Sequence, residues 1–296
     1  MDGPNHIFDR AVYVARQERA KGGALALLDA RIAEELQDRL AVINHSFENV
    51  ALVAVRTGAA RKVLEASGKC LKISALSPNP DDGLNIAENS LDAFVSLLDL
   101  QTINDVPGHL AQAARTLRPD GLAMFAFFAG DTMKELRESW LAAETEISGG
   151  VTPRVAPMID LRETGGLLQR AGLALPVADM DRVTLRYADA FALMREIKAL
   201  GFANPLRGRS SSPVTGQLLA CVAAHYHKHH ADLDGRIRAT VDIAWAMAWK
   251  PHPSQQQPLK PGSAKARLAD ALKVKVKDDD AGDKARDKAR DEPDPS

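Results

Sequence analysis

Cysteine is nearly absent: Cys70 and Cys221 are the only two, far apart and without CxxC or CxxH spacing. That argues against a disulfide framework or a zinc site, and it predicts a protein of a reducing, cytoplasmic compartment. Charge of one sign is missing too. The net charge of −1 gives no argument for nucleic acid or an anionic membrane as partner. No window approaches the roughly 18 uninterrupted apolar residues of a spanning helix, so no transmembrane segment is expected, while peripheral membrane association stays compatible with the sequence. Residues 1–6 lack a basic segment followed by an apolar one, so no signal peptide is expected. GxSxG, P-loop and GxGxxG motifs are all missing. Aromatics are sparse at 5%, but hydrophobic residues reach 45%, enough for a substantial alanine- and leucine-rich core.

What is there centres on residues 91–140. An apolar run at 91–98 is followed by a polar turn and then by apolar residues at helical spacing over 106–117. Arg118-Pro119-Asp120-Gly121 breaks that helix before a second apolar run ending at Phe128. Two buried strands joined by one helix read as a βαβ crossover in a parallel sheet. Thr132 and Glu135 stand at capping-box spacing for the next helix.

The flanks extend this α/β reading. Residues 7–23 are basic and helical in pattern, which suits either an anion-contacting lid over an active site or a solvated helix face packing one apolar edge. Residues 24–40 carry Leu28, Ile32, Leu36 and Leu40 on one stripe. VALVAV at 50–55 is a buried strand, and the turn after it, Arg56-Thr57-Gly58-Ala59-Ala60, holds a single glycine where nucleotide-binding turns hold several. LKISAL at 71–76 is a second strand, ending in Ala75-Leu76-Ser77 where an acidic residue would grip a ribose. Asp81 and Asp82 follow two prolines and suit a turn. Too few residues then precede Leu91 for a helix and another strand. Helices are predicted over 161–171, 190–200 with Asp189 as cap, and 217–230. A strand is predicted over 176–187. Residues 240–250 alternate strictly, with Val241, Ile243, Trp245, Met247 and Trp249 on one face and mostly alanine on the other. Residues 204–213 suggest a mobile surface loop. His225 and His229 stand one helical turn apart, yet no third ligand or carboxylate base accompanies them, so a solvated helix end is the plainer reading.

The organisation expected is an N-terminal helical segment over 1–44, an α/β domain over 45–252, a proline-bearing extension over 253–275, and a disordered, mixed-charge tail over 276–296.

Several stretches together resemble a known family. "SLLDLQTINDVPG" and "LRPDGL" followed by "GDTMKELR", with "IFDRAVYVARQERA" before and "RIRATVDIAWAMAWKPHP" after, are similar to the class I S-adenosylmethionine-dependent methyltransferases. The likeness is to the subgroup of complex I assembly factor 5 proteins, and more distantly to the malonyl-carrier-protein methyltransferase of biotin synthesis. It covers the chain up to the charged tail. The resemblance implies a three-layer α/β sandwich around a seven-stranded, mostly parallel sheet, and S-adenosylmethionine as cofactor. It places Arg56, Thr57 and Gly58 at the cofactor turn, and Ser96, Leu97 and Leu98 beside the adenosine and methionine. It further implies a protein partner among the subunits of respiratory complex I and, for the mitochondrial member, hydroxylation of an arginine. Against the D/E-x-G-x-G-x-G turn of the family, this chain keeps one glycine and lacks the acid near Ala75. Three readings follow: a degenerate cofactor site on a partner-binding scaffold, an active protein-modifying enzyme, or a pseudoenzyme that pairs with an active paralogue.

Overall fold

The computed structural model describes residues 6–20, 23–54, 56, 58–210 and 212–255. Residues 276–296 and nearly all of the expected extension lie outside them. The unit Met1–Pro253 is described here by itself.

Its centre is a six-stranded sheet. The strands are β1 (Phe47–Val53), β2 (Cys70–Leu76), β3 (Leu91–Leu97), β4 (Leu117–Ala129), β5 (Ala174–Tyr187) and β6 (Ile237–Trp249), in the order β2-β1-β3-β4-β6-β5. β2, β1, β3 and β4 pair in parallel, while β6 runs antiparallel between β4 and β5. The sheet is therefore mostly parallel, as expected, but among the described residues it has six strands where the resemblance implied seven. The reason is length. Segment 77–90 joins β2 to β3 without a regular element, and its length suffices for one parallel connection but not for a further strand with a crossover of about a dozen residues on each side.

The helices are α1 (Arg10–Arg19), α2 (Gly23–Val42), α3 (Gly58–Ala66), α4 (Val106–Thr116), α5 (Lys134–Ser148), α6 (Leu161–Arg170), α7 (Ala190–Ala199) and α8 (Gly216–His230). The predicted stripe on α2 is core: Ile32, Leu36 and Leu40 pack with Val50, Leu52, Val95, Met124 and Trp245 on one face of the sheet. On the other face, Leu110 and Ala113 of α4 and Leu168 of α6 meet Phe94, Phe125 and Phe127. β6 divides as its alternation predicted. Val241, Ile243 and Trp245 join the α2 side, and Ala244, Ala246 and Ala248 give α4 and α6 close access to the other. A third cluster, with Trp140, Leu193, Val222 and Tyr226, holds α5, α7 and α8 together.

Three local expectations are corrected. Residues 118–121 lie within β4 as a bulge, with Asp120 at φ +66° and a register shift opposite Leu91 and Ala93. A Cβ on Gly121 would stand 2.8 Å from the Arg118 carbonyl oxygen, so the bulge needs glycine there. Thr132 and Glu135 form no capping box. The Asp242 amide donates to Thr132 Oγ1 at 2.9 Å, and Glu135 accepts the Thr240 amide at 3.0 Å. Both side chains clamp β6 to the start of α5 and cap nothing. In the expected mobile loop, Leu206 is buried and bridges Phe8, and Arg209 pairs with Asp9 at 3.1 Å.

At the end of α8, His225 and His229 stack at 4.3 Å between ring centroids, and His225 Nδ1 is 3.3 Å from Ser139 Oγ. Among the described residues, no group of three His, Cys, Asp or Glu side chains is placed to hold a metal ion. Burial first, then neighbouring His229, lowers the pKa of His225; burial lowers that of His230, against the opposing pull of Glu138. A folded-state pKa below the unfolded one means the unfolded chain binds more protons. These two side chains therefore leave stability untouched above about pH 6.5, and their contribution is lost as pH falls through and below that value. Thermal denaturation between pH 8 and pH 5 is expected to show this loss, and the double substitution His225→Gln and His230→Gln to flatten it. An equal slope in that variant would refute the assignment.

Candidate functional site

Three cavities open where the parallel strands end at their C-termini, the edge at which open α/β sheets bind ligands. The first lies at the turn after β1. Arg56, predicted as a cofactor residue, places its Nε 3.2–3.3 Å from both Asp29 carboxylate oxygens and donates from NH1 to Gln17 Oε1 at 2.8 Å. With Leu97, Leu98, Ala54 and Ala60 it encloses about 20 Å³. Gly58 opens α3, and a Cβ there would meet nothing within 4 Å, so no close approach demands this glycine. Thr57 lies outside the described residues. Ser96 is buried in β3 with its Oγ unpartnered, and it does not line this cavity. The structure thus brings Arg56, Leu97 and Leu98 together, and leaves Gly58 and Ser96 apart from them.

The second cavity, of about 400 Å³, lies between β1, β2 and segment 77–90. Its charged wall is one buried cluster. Arg10, only 3% exposed, reaches from α1 to Asp99 with NH1 at 2.5 Å, to Asp82 with Nε at 2.8 Å, to Thr102 Oγ1 at 2.8 Å and to the Asn79 carbonyl at 3.0 Å. Burial pulls the pKa of Arg10 down, but the Asp99 and Asp82 carboxylates outweigh it and hold the group above its ordinary value. Beside it, His109 is buried with Nδ1 3.1 Å from the Asp82 carbonyl oxygen and Nε2 unpartnered.

α1 also closes the end of β3. Leu98 takes φ +54°, and its carbonyl accepts from the Tyr13 hydroxyl and from Gln101 Nε2 at 2.8 Å. Burial, then the charge of Asp99, raises the pKa of Tyr13, so the phenol stays neutral. Sequence reasoning weighed α1 as a lid or as a solvated face. It packs one edge and exposes the other, but the packed edge carries the polar side chains Arg10, Tyr13 and Gln17, which are buried and reach the turns at the strand ends. Their partners, Asp82, Asp99 and Leu98, lie about 70–90 positions away, and only the arginine–tyrosine–glutamine spacing on one helix face hinted at it. The third cavity, of about 340 Å³, is largely apolar and lies beneath α1, α2 and α7 against β5 and β6.

With this geometry in place, comparison with known proteins decides the family. The chain is 30% identical over 295 residues to the arginine-hydroxylase NDUFAF5, mitochondrial, of Danio rerio, a match covering 91% of this chain and 90% of that protein. The chain belongs to the NDUFAF5 family. Within the class I methyltransferase superfamily, this NDUFAF5-family chain also shares 38% identity over 168 residues with the malonyl-[acyl-carrier protein] O-methyltransferase of Laribacter hongkongensis, covering 57% of this chain and 54% of that protein. Its match to the NDUFAF5 protein of Dictyostelium discoideum, 34% identical, covers 62% of this chain and spans only 42% of that longer protein. No family model matches. Among the described residues, no helix is long and apolar enough to cross a membrane.

Proposed function

We propose that this NDUFAF5-family chain is a methyltransferase-fold scaffold with a degenerate cofactor site, acting in the cytoplasm by binding a protein partner, a respiratory complex I subunit, during assembly of that complex. The observation that carries the reading is Arg56 at the turn after β1, tied to Asp29 and Gln17, with about 20 Å³ left beside Leu97 and Leu98. That is room for about one water, whereas ligand pockets for molecules the size of S-adenosylmethionine run to roughly 300–1,000 Å³. So small a space beside Arg56 supports the reading that the amino-acid end of the cofactor is no longer accepted there. The strand-end acid is also missing at Ala75 and Leu76, and Asp82 and Asp99 are engaged by Arg10. An absent ribose carboxylate removes charge-assisted hydrogen bonds worth about 1.5–3 kcal/mol, about ten- to a hundredfold in affinity.

One observation favours a second reading, an active S-adenosylmethionine-dependent methyltransferase or arginine hydroxylase. The 400 Å³ cavity beside β1 and β2, with His109 Nε2 unpartnered at its wall, has the size and place of a nucleoside pocket. Isothermal titration of the full chain with S-adenosylmethionine separates the two: no heat of binding is expected, and micromolar affinity would overturn the degenerate-site reading. Affinity capture scored for complex I subunits and for a paralogue with an intact glycine turn then tests the partner. Recovery of the paralogue alone would replace scaffolding by pseudoenzyme pairing.

A further inference from the structure

β5 ends the sheet, and from Val177 to Tyr187 it pairs without a break with β6 on one side. On its other side it makes no backbone hydrogen bond among the described residues. An open strand edge is a row of N–H and C=O groups in strand spacing, and the occupant that matches such a row is another extended chain. Backbone chemistry thus sets the class of occupant before any side chain is considered. Length singles out this edge, with 14 residues against the 7 of β2 at the opposite end of the sheet.

Side chains of a strand alternate between faces, and on the α2 side β5 reads Val177, Asp179, Asp181, Val183, Leu185. Asp179 and Asp181 meet Arg39 and Arg31 of α2, which fixes the face. Edge strands are normally blunted by charge, proline or cover. Here the charge on this face is one central pair with aliphatic residues on either side of it, and Val177 stays 54% exposed and Leu185 36%. The pair lies in a surplus of negative charge. Arg31 and Arg39 both bind Glu35 as well, so three carboxylates share two guanidinium groups. Asp179 and Asp181 each use one oxygen in these pairs, and the other oxygen accepts no hydrogen bond among the described residues.

That charge decides between a second copy and a foreign segment. Antiparallel pairing of two copies with Val177 opposite Val183 would set Asp179 of one copy opposite Asp181 of the other, and like charges directly opposite destabilise a sheet. The register with Asp181 opposite Val183 sets Asp179 opposite Leu185, which wastes the aliphatic flanks. A segment with two basic residues at alternate positions puts opposite charges together and keeps aliphatic residues against aliphatic ones.

We propose that the free edge of β5 is a docking strip for an extended segment of a partner protein. The segment adds to the sheet as a further strand and presents an aliphatic, basic, basic, aliphatic row, at alternate positions, to Val177, Asp179, Asp181 and Val183. From the reading above this takes only that the chain binds a protein partner; the state of the cofactor site does not enter.

Fluorescein-labelled TVTKTKTVT, whose valines and lysines share one face, is the probe. Anisotropy titration with the full chain is expected to show saturable one-to-one binding in the micromolar range, and hydrogen exchange should slow over 177–187 in the complex. TVTETETVT should bind about fivefold more weakly or worse, and so should TVTKPKTVT, whose central proline removes a strand donor. Asp179→Lys with Asp181→Lys should reverse the preference between the lysine and glutamate peptides. Asp179→Asn with Asp181→Asn, which should bind the two alike, serves if the first variant does not fold. Absence of saturable binding overturns the site, as does slowed exchange confined to residues outside β5. A self-associated chain whose β5 amides are protected without peptide also overturns it, in favour of a second copy. None of these failures touches capture of complex I subunits, and a capture that recovers no partner while the peptide binds would sink the earlier reading alone.

Discussion

Replacing Arg10 by methionine is expected to destabilise the protein by about 3–5 kcal/mol, the usual cost of removing one partner from a buried ion pair. For a unit of this size the melting temperature should fall by roughly 6–20 °C. The size of the effect comes from what remains behind. Asp99 is 1% exposed and Asp82 8%, so both carboxylates would be left in a low-dielectric wall without their cation. The double variant Arg10→Met with Asp99→Asn should recover part of the loss, since the two changes share one network. Additive losses in the double variant would remove the ion cluster as the anchor of α1.

Trp245→Ala is expected to cost a similar amount, about 3–5 kcal/mol. Trp245 is fully buried at the centre of β6, between the α2 stripe and the strand, with the Arg39 guanidinium 4.5 Å from its ring centroid. The indole Nε1 is buried without a partner. Trp245→Phe therefore loses volume and part of the cation–π attraction, but also removes an unpaired donor, and it should cost clearly less than the alanine variant. Urea unfolding of both variants checks this. Equal costs would mean that the indole nitrogen has a partner or that the cavity collapses.

Much of this fold is legible in the amino-acid sequence because its signals are local. The runs at β1, β3 and β4 are continuous and apolar, as strands covered on both faces must be, and the alternation in β6 separates large residues from alanines. Asp189 caps α7 as its position suggests, accepting from the Ala192 amide at 2.7 Å. The short link between β2 and β3 leaves no length for a helix and a further strand, as the structure shows. What escaped is long-range. Nothing near Arg10 announces Asp99, and capping-box spacing cannot reveal that Glu135 turns to Thr240, 105 positions on. The 118–121 bulge looked like a break because proline and glycine mark both. The candidate site suffers most, since Arg56 reads as a turn residue until Asp29 and Gln17 are seen around it.

β6 has a bearing on the order in which this sheet can be made. It is the last strand of the described chain, yet it lies between β4 and β5, pairing Ala123 with Ala248 and Thr184 with Thr240. As the chain emerges from the ribosome, β4 and β5 are both finished long before their common neighbour exists. Until Trp249 is translated, each presents an unpaired backbone edge, and Val241 and Ile243 are not yet there to wall the apolar cavity. Contacts of such separation form slowly, and exposed edges of this kind are where nascent chains associate wrongly. A chaperone that shields β4 during synthesis would act on a hazard written into the strand order.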